Sequence, residues 1–139
     1  MKVRDLMTVD VVTVARNDTL ALADDLMKGR KIRHFPVVEE GRLVGMLTQR
    51  DLFQAALSNA LGFGEKARKD FLKTVPVKET MTDEVITIDG NSEIRDAART
   101  MLDRKVGCLP VVEGGKLVGI LSETDLLKVV AVPLGSLDD

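Results

Sequence analysis

Two short turns carry the side chains best suited to hold a ligand. Both have the form Gly-apolar-Leu-[Thr/Ser]-x-x-Asp, over Gly45–Asp51 and again over Gly119–Asp125. Each is predicted to lie where a strand ends and a helix begins, and there free N–H groups and the helix dipole favour an anion. A carboxylate at this point can accept two hydrogen bonds from a vicinal diol such as that of a ribose, and the hydroxyl can contact sugar or phosphate. The glycine lets a ligand approach the backbone closely.

The same turn has an interpretation that needs no ligand. Thr48 and Asp51, like Ser122 and Asp125, have nearly the spacing and chemistry of a capping box, in which two side chains satisfy the first N–H groups of a helix. For one turn alone, the two interpretations are about equally favoured. Recurrence of the whole strand–turn–helix pattern favours ligand binding, although it does not establish that either site is occupied.

The two turns belong to a longer internal repeat. Val3–Leu52 aligns with Val77–Leu126 at one constant offset and without a gap, and about 20 of some 50 aligned positions are identical. A unit of this size is marginally stable by itself. We therefore expect the two copies to pair in one pseudo-twofold module with two equivalent clefts between its halves.

Each copy of the repeat predicts the order β-α-β-β-α. A short β-branched strand, Val11–Val14 or Val85–Ile88, precedes a polar N-cap cluster and apolar residues at helical spacing. A proline, which lacks an N–H, opens the second strand. A glycine-containing turn then leads to a third strand, which is Leu43–Leu47 in the first copy. The last helix of that copy is predicted to begin near Thr48 and to end at Gly62.

The chain therefore divides into two repeats, a linker and a tail. The first repeat is assigned to residues 1–62 and the second to residues 77–132. The connection, residues 63–76, is expected to contain a short helix around Glu65–Leu72. The tail, residues 133–139, is expected to be loose.

Composition narrows the classes of partner. The formal net charge is −2 at pH 7, and the chain has no Trp or Tyr and only four Phe. Neither a basic surface nor stacking platforms for nucleic acid are therefore expected. No apolar run reaches membrane-spanning length, and the N-terminus does not resemble a signal peptide. The single cysteine fits a reducing compartment, so we expect a cytoplasmic protein that binds neither nucleic acid nor membrane.

The sequence shows no set of residues suited to a metal ion or to catalysis. His34 is the only histidine, and no Cys, His or carboxylate stands at ligand spacing around it. Cys108 is predicted to be a small buried apolar residue, with redox sensing as a lesser alternative. A hydrolase would need a positioned base, nucleophile or metal, and two isolated turn carboxylates do not supply one. We expect a non-catalytic protein, and turnover of a bound nucleotide would revive the enzyme hypothesis.

Taken together, these features resemble a known family. The repeated β-α-β-β-α order, the strands Phe35–Val38 and Leu109–Val112 and the two turns look like a pair of CBS domains, also called a Bateman module. The resemblance covers nearly the whole chain outside the linker and tail. It implies a mixed α+β fold in which two β-α-β-β-α repeats pack as a pseudo-twofold module. It also implies that AMP, ADP, ATP or another adenosyl compound binds in clefts between the repeats, with no required cofactor.

The same resemblance assigns side chains to the two clefts. Asp51 and Asp125 would hold ribose hydroxyls, and Thr48 and Ser122 would contact ribose or phosphate. Other residues would lie beside the ligand in the segment just before the second strand. The segment before the first strand of the opposite repeat would complete each cleft, and aliphatic side chains would form the walls around adenine. For the Asp51 cleft these are Arg33, His34, Lys78 to Met81, Val12, Thr13 and Met46; for the Asp125 cleft they are Gly107, Cys108, Arg4 to Met7, Ile86, Thr87 and Ile120.

The two clefts differ where a phosphate is expected. The first copy offers Arg33, His34 and Arg50, and the second copy has Gly, Cys and Thr at these positions. Arg and His donate charge-assisted hydrogen bonds to phosphate, which Gly and Cys side chains cannot do well. We predict that the Asp51 cleft binds a phosphorylated nucleotide better. The Asp125 cleft is expected to prefer a less charged adenosyl ligand or to stay empty.

The resemblance further favours a homodimer that signals to an unidentified effector protein. An apolar face on the last helix of each repeat is expected to be exposed and to supply the interface. An alternative function is a structural dimerisation module whose ligand sites are vestigial. The residues of the expected interface are Leu52, Phe53 and Ala56 in the first repeat and Leu126, Leu127 and Val130 in the second.

Overall fold

The structure, a computed structural model, describes residues 1–60 and 64–132. No helix within these residues is long and apolar enough to cross a membrane. The predicted helix end at Gly62 and the tail, residues 133–139, lie outside the described residues. The elements are α1 (Val3–Leu6), α2 (Leu20–Arg30), β1 (His34–Glu39), β2 (Arg42–Thr48), α3 (Gln49–Ala60), α4 (Gly64–Leu72), a 3-10 turn (Val77–Glu79), α5 (Ile94–Arg104), β3 (Cys108–Glu113), β4 (Lys116–Ser122) and α6 (Glu123–Ala131).

The chain forms two compact units whose boundaries cross the sequence repeats. The first, here the Asp51 unit, is Val12–Val85; the second, the Asp125 unit, combines Met1–Val11 with the chain from Ile86 onward. Each unit therefore contains the leading segment of the opposite repeat. Mixed helices and antiparallel strands confirm the predicted α+β fold class.

Each unit is built around an antiparallel hairpin. In the Asp51 unit, β1 pairs with β2 so that His34 lies opposite Thr48, and the register shifts after Val37. The Asp125 unit repeats this register with Cys108 opposite Ser122. The pairing brings the first residue of one strand beside the last residue of the other, at the end of the hairpin where the next helix starts. The predicted turn hydroxyls are therefore placed next to the predicted phosphate-side residues.

The predicted first strand of each repeat is reduced to a single bridge. Val14 forms one parallel bridge with Val37, and Ile88 forms the equivalent bridge in the other unit. The longer strands predicted from β-branched residues were therefore wrong in extent. In the Asp51 unit Val14 makes both hydrogen bonds of the bridge, since its N–H donates to the Pro36 carbonyl at 3.1 Å and its carbonyl accepts the Val38 N–H at 3.0 Å. After Val14, the Asp18 carboxylate accepts the Ala15 N–H at 2.7 Å, so the pairing does not continue toward α2.

Each unit has its own hydrophobic core. In the Asp51 unit, α2 contributes the buried residues Leu20, Ala23 and Met27, which share a cluster with Phe35 and Leu47 of the hairpin. Full burial of an apolar side chain of this size stabilises the fold by about 1.5–3 kcal/mol. The buried cluster of the Asp125 unit consists of Val3, Ala97, Met101, Leu109, Val111 and Leu121.

The leading segments are integral parts of these cores. Val77, which is fully buried, donates its N–H to the Asp18 carbonyl at 2.7 Å in the Asp51 unit. Val3, its counterpart in the repeat, is also fully buried and donates to the Ser92 carbonyl at 2.8 Å in the Asp125 unit. Both contacts explain why each unit takes a segment from the opposite repeat.

Helix α4 is attached to α2 by a buried ion pair. Arg68 donates from both terminal nitrogens to the Asp24 carboxylate, at 3.0 and 3.1 Å. Lys28 adds a third contact, with Nζ 3.1 Å from Asp24 Oδ2. Asp24 is buried, and such a carboxylate is stable only when it is paired in this way. In the second repeat the corresponding position is Ala98, so this attachment belongs to the Asp51 unit.

The apolar face expected on the last helices is smaller than predicted. Leu52 and Ala56 are buried in the core of the Asp51 unit, and Leu126 is partly buried in the other unit, because these positions form the core-facing stripe of their helices. The expectation that they are exposed was wrong. The members that are exposed are Phe53 at 58 %, Leu127 at 65 % and Val130 at 81 %.

Candidate functional site

The Asp51 turn joins the end of β2 to the first turn of α3. Thr48 donates its N–H to Asp51 Oδ2 at 3.0 Å, and Thr48 Oγ1 accepts the Asp51 N–H at 3.1 Å. The Arg33 carbonyl accepts the Gln49 N–H at 2.8 Å and so ties the segment before β1 to the start of α3. The partly buried Asp51 carboxylate is thus held at a helix N-terminus, and only Oδ2 is used by the cap.

The Asp125 turn repeats this arrangement at the start of α6. Ser122 donates both its N–H, at 3.0 Å, and its hydroxyl, at 3.1 Å, to Asp125 Oδ2. The Asp125 N–H returns to Ser122 Oγ at 3.2 Å, and the Gly107 carbonyl accepts the Glu123 N–H at 3.0 Å. Both turns are therefore capping boxes, as the alternative interpretation of the sequence required. A capping role and a ligand-binding role remain compatible wherever one carboxylate oxygen stays available.

The second oxygen of Asp125 has two further neighbours that the sequence did not predict. Thr8 Oγ1 donates to Asp125 Oδ1 at 3.4 Å, and Lys128 Nζ lies 3.5 Å from the same oxygen. Asp125 is only 3 % exposed. The i, i+3 spacing of Asp125 and Lys128 on one helix was the available signal for the ion pair. Thr8 follows Met7 at the end of the segment that was expected to join this cleft.

The leading segments run beside the strands that end at the turns. Thr82 and Met46 exchange backbone hydrogen bonds at 2.8 and 2.9 Å, and Thr8 and Ile120 exchange two at 2.9 Å. Met46 and Ile120, expected to wall the adenine, are thereby held against the leading segment of the same unit. Within each unit, the leading segment is therefore paired with the strand that ends at the turn.

The two glycines of the motif admit protein atoms close to the backbone. A Cβ added at Gly45 would lie 2.7 Å from Met81 Sδ and 2.9 Å from the Thr82 carbonyl oxygen. A Cβ at Gly119 would lie 2.6 Å from Met7 Sδ. The space that was attributed to an approaching ligand is therefore occupied by the methionines that were themselves expected in the clefts. These glycines are required for packing, and that requirement is independent of ligand binding.

The side chain of Arg4 is not brought to the Asp125 turn. Arg4 Nη2 lies 3.5 Å from Glu113 Oε1, at the far end of β3 from Cys108. Cys108 pairs with Ser122, so the Arg4 guanidinium contacts the strand about 16 Å from the turn, at about 3.3 Å per residue.

The other predicted contributors differ in exposure. Lys78 donates its N–H to the Arg16 carbonyl at 2.9 Å and has an exposed side chain. Thr13 is partly buried and Thr87 is exposed. The adenine-wall residues Val12 and Ile86 pack against the cores of their units and are partly buried.

The phosphate-side residues of the two units differ in charge. Arg33 is exposed and His34 is partly buried at the start of β1, opposite the Thr48 end of β2. At the corresponding place in the Asp125 unit, Cys108 is buried as predicted, and burial with the nearby Glu123 charge raises its thiol pKa to about 12. The thiol therefore stays protonated at neutral pH and offers no charge to a ligand.

Arg50 lines an open pocket on the helical side of the Asp51 unit. The pocket, about 350 Å³, lies between α2, α3 and α4. Arg50 is exposed and follows Gln49 in the first turn of α3, so its long side chain is available near the Asp51 turn. The lining residues are Asp24, Met27, Lys28, Gln49, Arg50, Leu52, Phe53 and Arg68.

The groups gathered at the Asp51 turn suit hydrogen bonding to a polyhydroxylated anion. They are a helix N-terminus, a carboxylate, a hydroxyl and exposed guanidinium groups, which match phosphate and diol chemistry. Across residues 1–60 and 64–132, no group of three or more His, Cys, Asp or Glu side chains is placed to hold a metal ion.

Comparison with known proteins agrees with this arrangement. The family model described as CBS domain matches residues 3–58 and 77–132, which together form most of the chain. The CBS domain-containing protein YhcV of Bacillus subtilis (strain 168) is 37% identical over 124 residues, covering 89% of this chain and 81% of that protein.

Two solved structures with bound ligands are similar over nearly the whole chain. CBSX2 in complex with AMP is 30% identical with a TM-score of 0.77, and the match covers 93% of this chain and 95% of that one. The CBS domain pair of protein MJ0100, in complex with 5′-methylthioadenosine and S-adenosyl-L-methionine, is 25% identical with a TM-score of 0.79, over 94% of this chain and 99% of that one. All three ligands contain an adenosine moiety.

Proposed function

Because the chain belongs to the CBS domain family and carries two copies of the domain, we propose that it is a non-catalytic regulatory module that binds an adenine nucleotide or another adenosyl compound. The observation that carries the proposal is the repeated turn, which holds a carboxylate and a hydroxyl at the N-terminus of α3 and of α6. Similarity to a family member in complex with AMP supports an adenosine ligand.

In the proposed complex, the ribose of the ligand lies against the Asp51 turn. Asp51 uses Oδ2 in the cap, which leaves Oδ1 to accept ribose hydroxyls. Thr48 donates its hydroxyl proton to ribose or phosphate, while its oxygen still accepts the Asp51 N–H. The dipole of α3 stabilises negative charge at the same place. Met46 and Met81 supply apolar contacts for adenine.

We expect phosphorylated ligands to favour the Asp51 unit. Arg33 and Arg50 are exposed and His34 is partly buried there, whereas Cys108 in the other unit is uncharged. Guanidinium groups bind phosphate with two parallel hydrogen bonds, so their presence in one unit separates the two sites. AMP is therefore proposed for the Asp51 site, and the Asp125 site is proposed to take a less charged adenosyl compound or to stay empty.

Binding is proposed to act on an effector protein through a change in conformation or association. A ligand can shift such an equilibrium only by its difference in affinity for the two states. Self-association as a homodimer is proposed to involve the exposed side chains of α3 and α6, Phe53, Leu127 and Val130. A cytoplasmic location suits the single protonated thiol.

Thermal unfolding in the presence of a ligand panel tests the proposal. The panel is AMP, ADP, ATP, NAD and S-adenosylmethionine, with GMP as a control. A ligand at a hundredfold excess over its Kd stabilises the native state by about 2.7 kcal/mol. We expect adenine ligands to raise the melting temperature. This rise is expected to be lost in Asp51→Asn, which preserves the shape of the cap. The matched variant Asp70→Asn, at an exposed position on α4, is expected to keep the shift.

A structural dimerisation module is the second candidate function. It is favoured by Asp125, whose carboxylate is already engaged by protein atoms on both oxygens. Protein that is folded and free of nucleotide is the sample for this test. If no adenine ligand changes its melting temperature, the structural function replaces the ligand-binding one. Concentration-dependent dimerisation that is lost in Leu127→Asp would then be the supporting measurement.

A further inference from the structure

We propose that Lys128, together with Thr8, closes the Asp125 carboxylate to sugar diols and thereby decides which of the two sites takes a ligand. This inference rests on the proposed function and concerns the selectivity of its sites. It assigns a specificity-determining role to residues outside the turn motif, at the second turn of α6 and at the end of the first leading segment.

Both oxygens of the Asp125 carboxylate already have protein donors or a cation beside them. An ionised carboxylate offers about four lone-pair positions on its two oxygens. Ser122 supplies two donors to Oδ2, at 3.0 and 3.1 Å. The Thr8 hydroxyl at 3.4 Å and the Lys128 ammonium at 3.5 Å take up Oδ1. A ribose diol must therefore displace groups that the protein already holds in place.

Displacement is unfavourable because the Asp125 side of these contacts is buried. Asp125 is 3 % exposed, whereas the Lys128 side chain is 65% exposed, so water partly screens the ion pair and its loss costs on the order of 1 kcal/mol. A diol that takes Oδ1 removes the hydroxyl contact of Thr8 and separates the ion pair with Lys128. Neutral ribose hydroxyls cannot replace the charge of an ammonium group.

The Asp51 site differs at the one position that matters for this contact. The residue that corresponds to Lys128 in the first repeat is Gln54, whose side chain is neutral and cannot form an ion pair with Asp51. Asp51 is also partly buried, in contrast with the buried Asp125. Thr82 corresponds to Thr8, and within the described residues no hydrogen bond joins its hydroxyl to Asp51. The repeat therefore supplies an internal comparison of a carboxylate that has a cationic neighbour three residues later with one that has a neutral residue there.

A reciprocal exchange tests the role of position 128. Lys128→Gln is made in a chain that also carries Asp51→Asn, so that only the Asp125 site retains its carboxylate. Gln54→Lys is made in the otherwise unchanged chain. Binding of AMP and of adenosine, which lacks phosphate, is measured by isothermal titration calorimetry. Lys128→Gln is expected to raise adenosine affinity at the Asp125 site by about fivefold, and Gln54→Lys to lower it at the Asp51 site by a similar factor.

Lys116→Gln serves as the matched control, because it removes the same charge at the first residue of β4, at the end of the strand far from Ser122, and is expected to leave adenosine affinity unchanged at both sites. Each variant is first shown to unfold cooperatively. Unchanged adenosine affinity in both exchanged variants would overturn the inference, as would weaker AMP binding in Lys128→Gln, which would make Lys128 a phosphate contact. Equal occupancy of both sites in the unchanged chain would overturn it and leave the proposed function standing. Absence of binding in every variant would overturn both.

Discussion

At the scale of single residues, Asp24 and Asp125 are the two buried carboxylates of residues 1–60 and 64–132, and each has polar or cationic partners close by. Asp24 is held by Arg68 and Lys28, and Asp125 by a capping serine, a threonine and a lysine. Burial raises the pKa of Asp24, but the hydrogen bonds and charges of Arg68 and Lys28 outweigh burial and hold the pKa below its ordinary value. The ion pair of Asp24 therefore makes stability depend on pH.

The contribution of this ion pair is expected to disappear in acid. Since the pKa of Asp24 in the folded state is below 3.8, the stabilisation is fully present above 3.8 and is lost as the pH falls through the folded-state value. Arg68→Met is expected to lower the free energy of unfolding by about 2 kcal/mol at neutral pH, because it leaves a buried charge with one partner fewer. Urea unfolding across the pH range measures both effects.

Lys69→Met, at an exposed position on the same helix, is the control for this experiment and is expected to change stability little. Equal destabilisation by Arg68→Met at neutral pH and well below pH 3.8 would show that the loss comes from packing, and would contradict the account of the ion pair.

At the scale of secondary-structure elements, the sequence predicted the hairpins, the helices and their order. The predictions failed where tertiary contacts determine the extent of a strand or the occupant of a space. The helices after Thr48 and Ser122 begin where the capping spacing placed them. The first strand was overestimated because only Val14 of the predicted residues Val11–Val14 pairs with the hairpin, and β-branched composition carries no information about which residues find a partner strand. The glycine of the turn was correctly singled out, but periodicity cannot show that Met81 fills the space above it.

The turn glycine provides a test at this scale. Gly45→Ala is expected to lower the free energy of unfolding by about 1–3 kcal/mol, because the added methyl group would approach the Thr82 backbone oxygen at 2.9 Å and the leading segment must move. Gly29→Ala in α2 is the matched control: nothing lies within 4 Å of its added Cβ, so it is expected to stabilise the helix by about 0.5–1 kcal/mol. Chemical denaturation of both variants compares them, and Gly45→Ala unfolding like the unchanged protein would contradict the close approach.

At the scale of the whole molecule, the repeat in the sequence and the units in the structure are not the same segments. The family model matches 3–58 and 77–132, whereas the units are divided near residues 11 and 85. The periodicity of hydrophobic residues reveals the repeat, but it cannot reveal that a leading segment packs in the opposite unit. Among the site residues, the side chains on the turns were predictable and the i, i+3 spacing was a signal for Lys128, while Thr8 emerges only from the packing around Asp125.

This exchange of segments makes a prediction for the two buried valines. Val3→Ala and Val77→Ala are each expected to lower the free energy of unfolding by about 2 kcal/mol, since both side chains are fully buried. Amide hydrogen exchange is expected to show the first loss of protection in the Asp125 unit for Val3→Ala and in the Asp51 unit for Val77→Ala. Val9→Ala, 64% exposed, is the control. Loss of protection in α2 for Val3→Ala would contradict the assignment of segments.

The most direct test of the central claim, that the Asp51 turn binds an adenosyl ligand, is calorimetric titration of nucleotide-free protein with AMP. We expect saturable AMP binding that is lost in Asp51→Asn and retained in Asp70→Asn. Binding that persists unchanged in Asp51→Asn would contradict the assignment of the site, and absence of binding in the folded, unchanged protein would contradict the function itself.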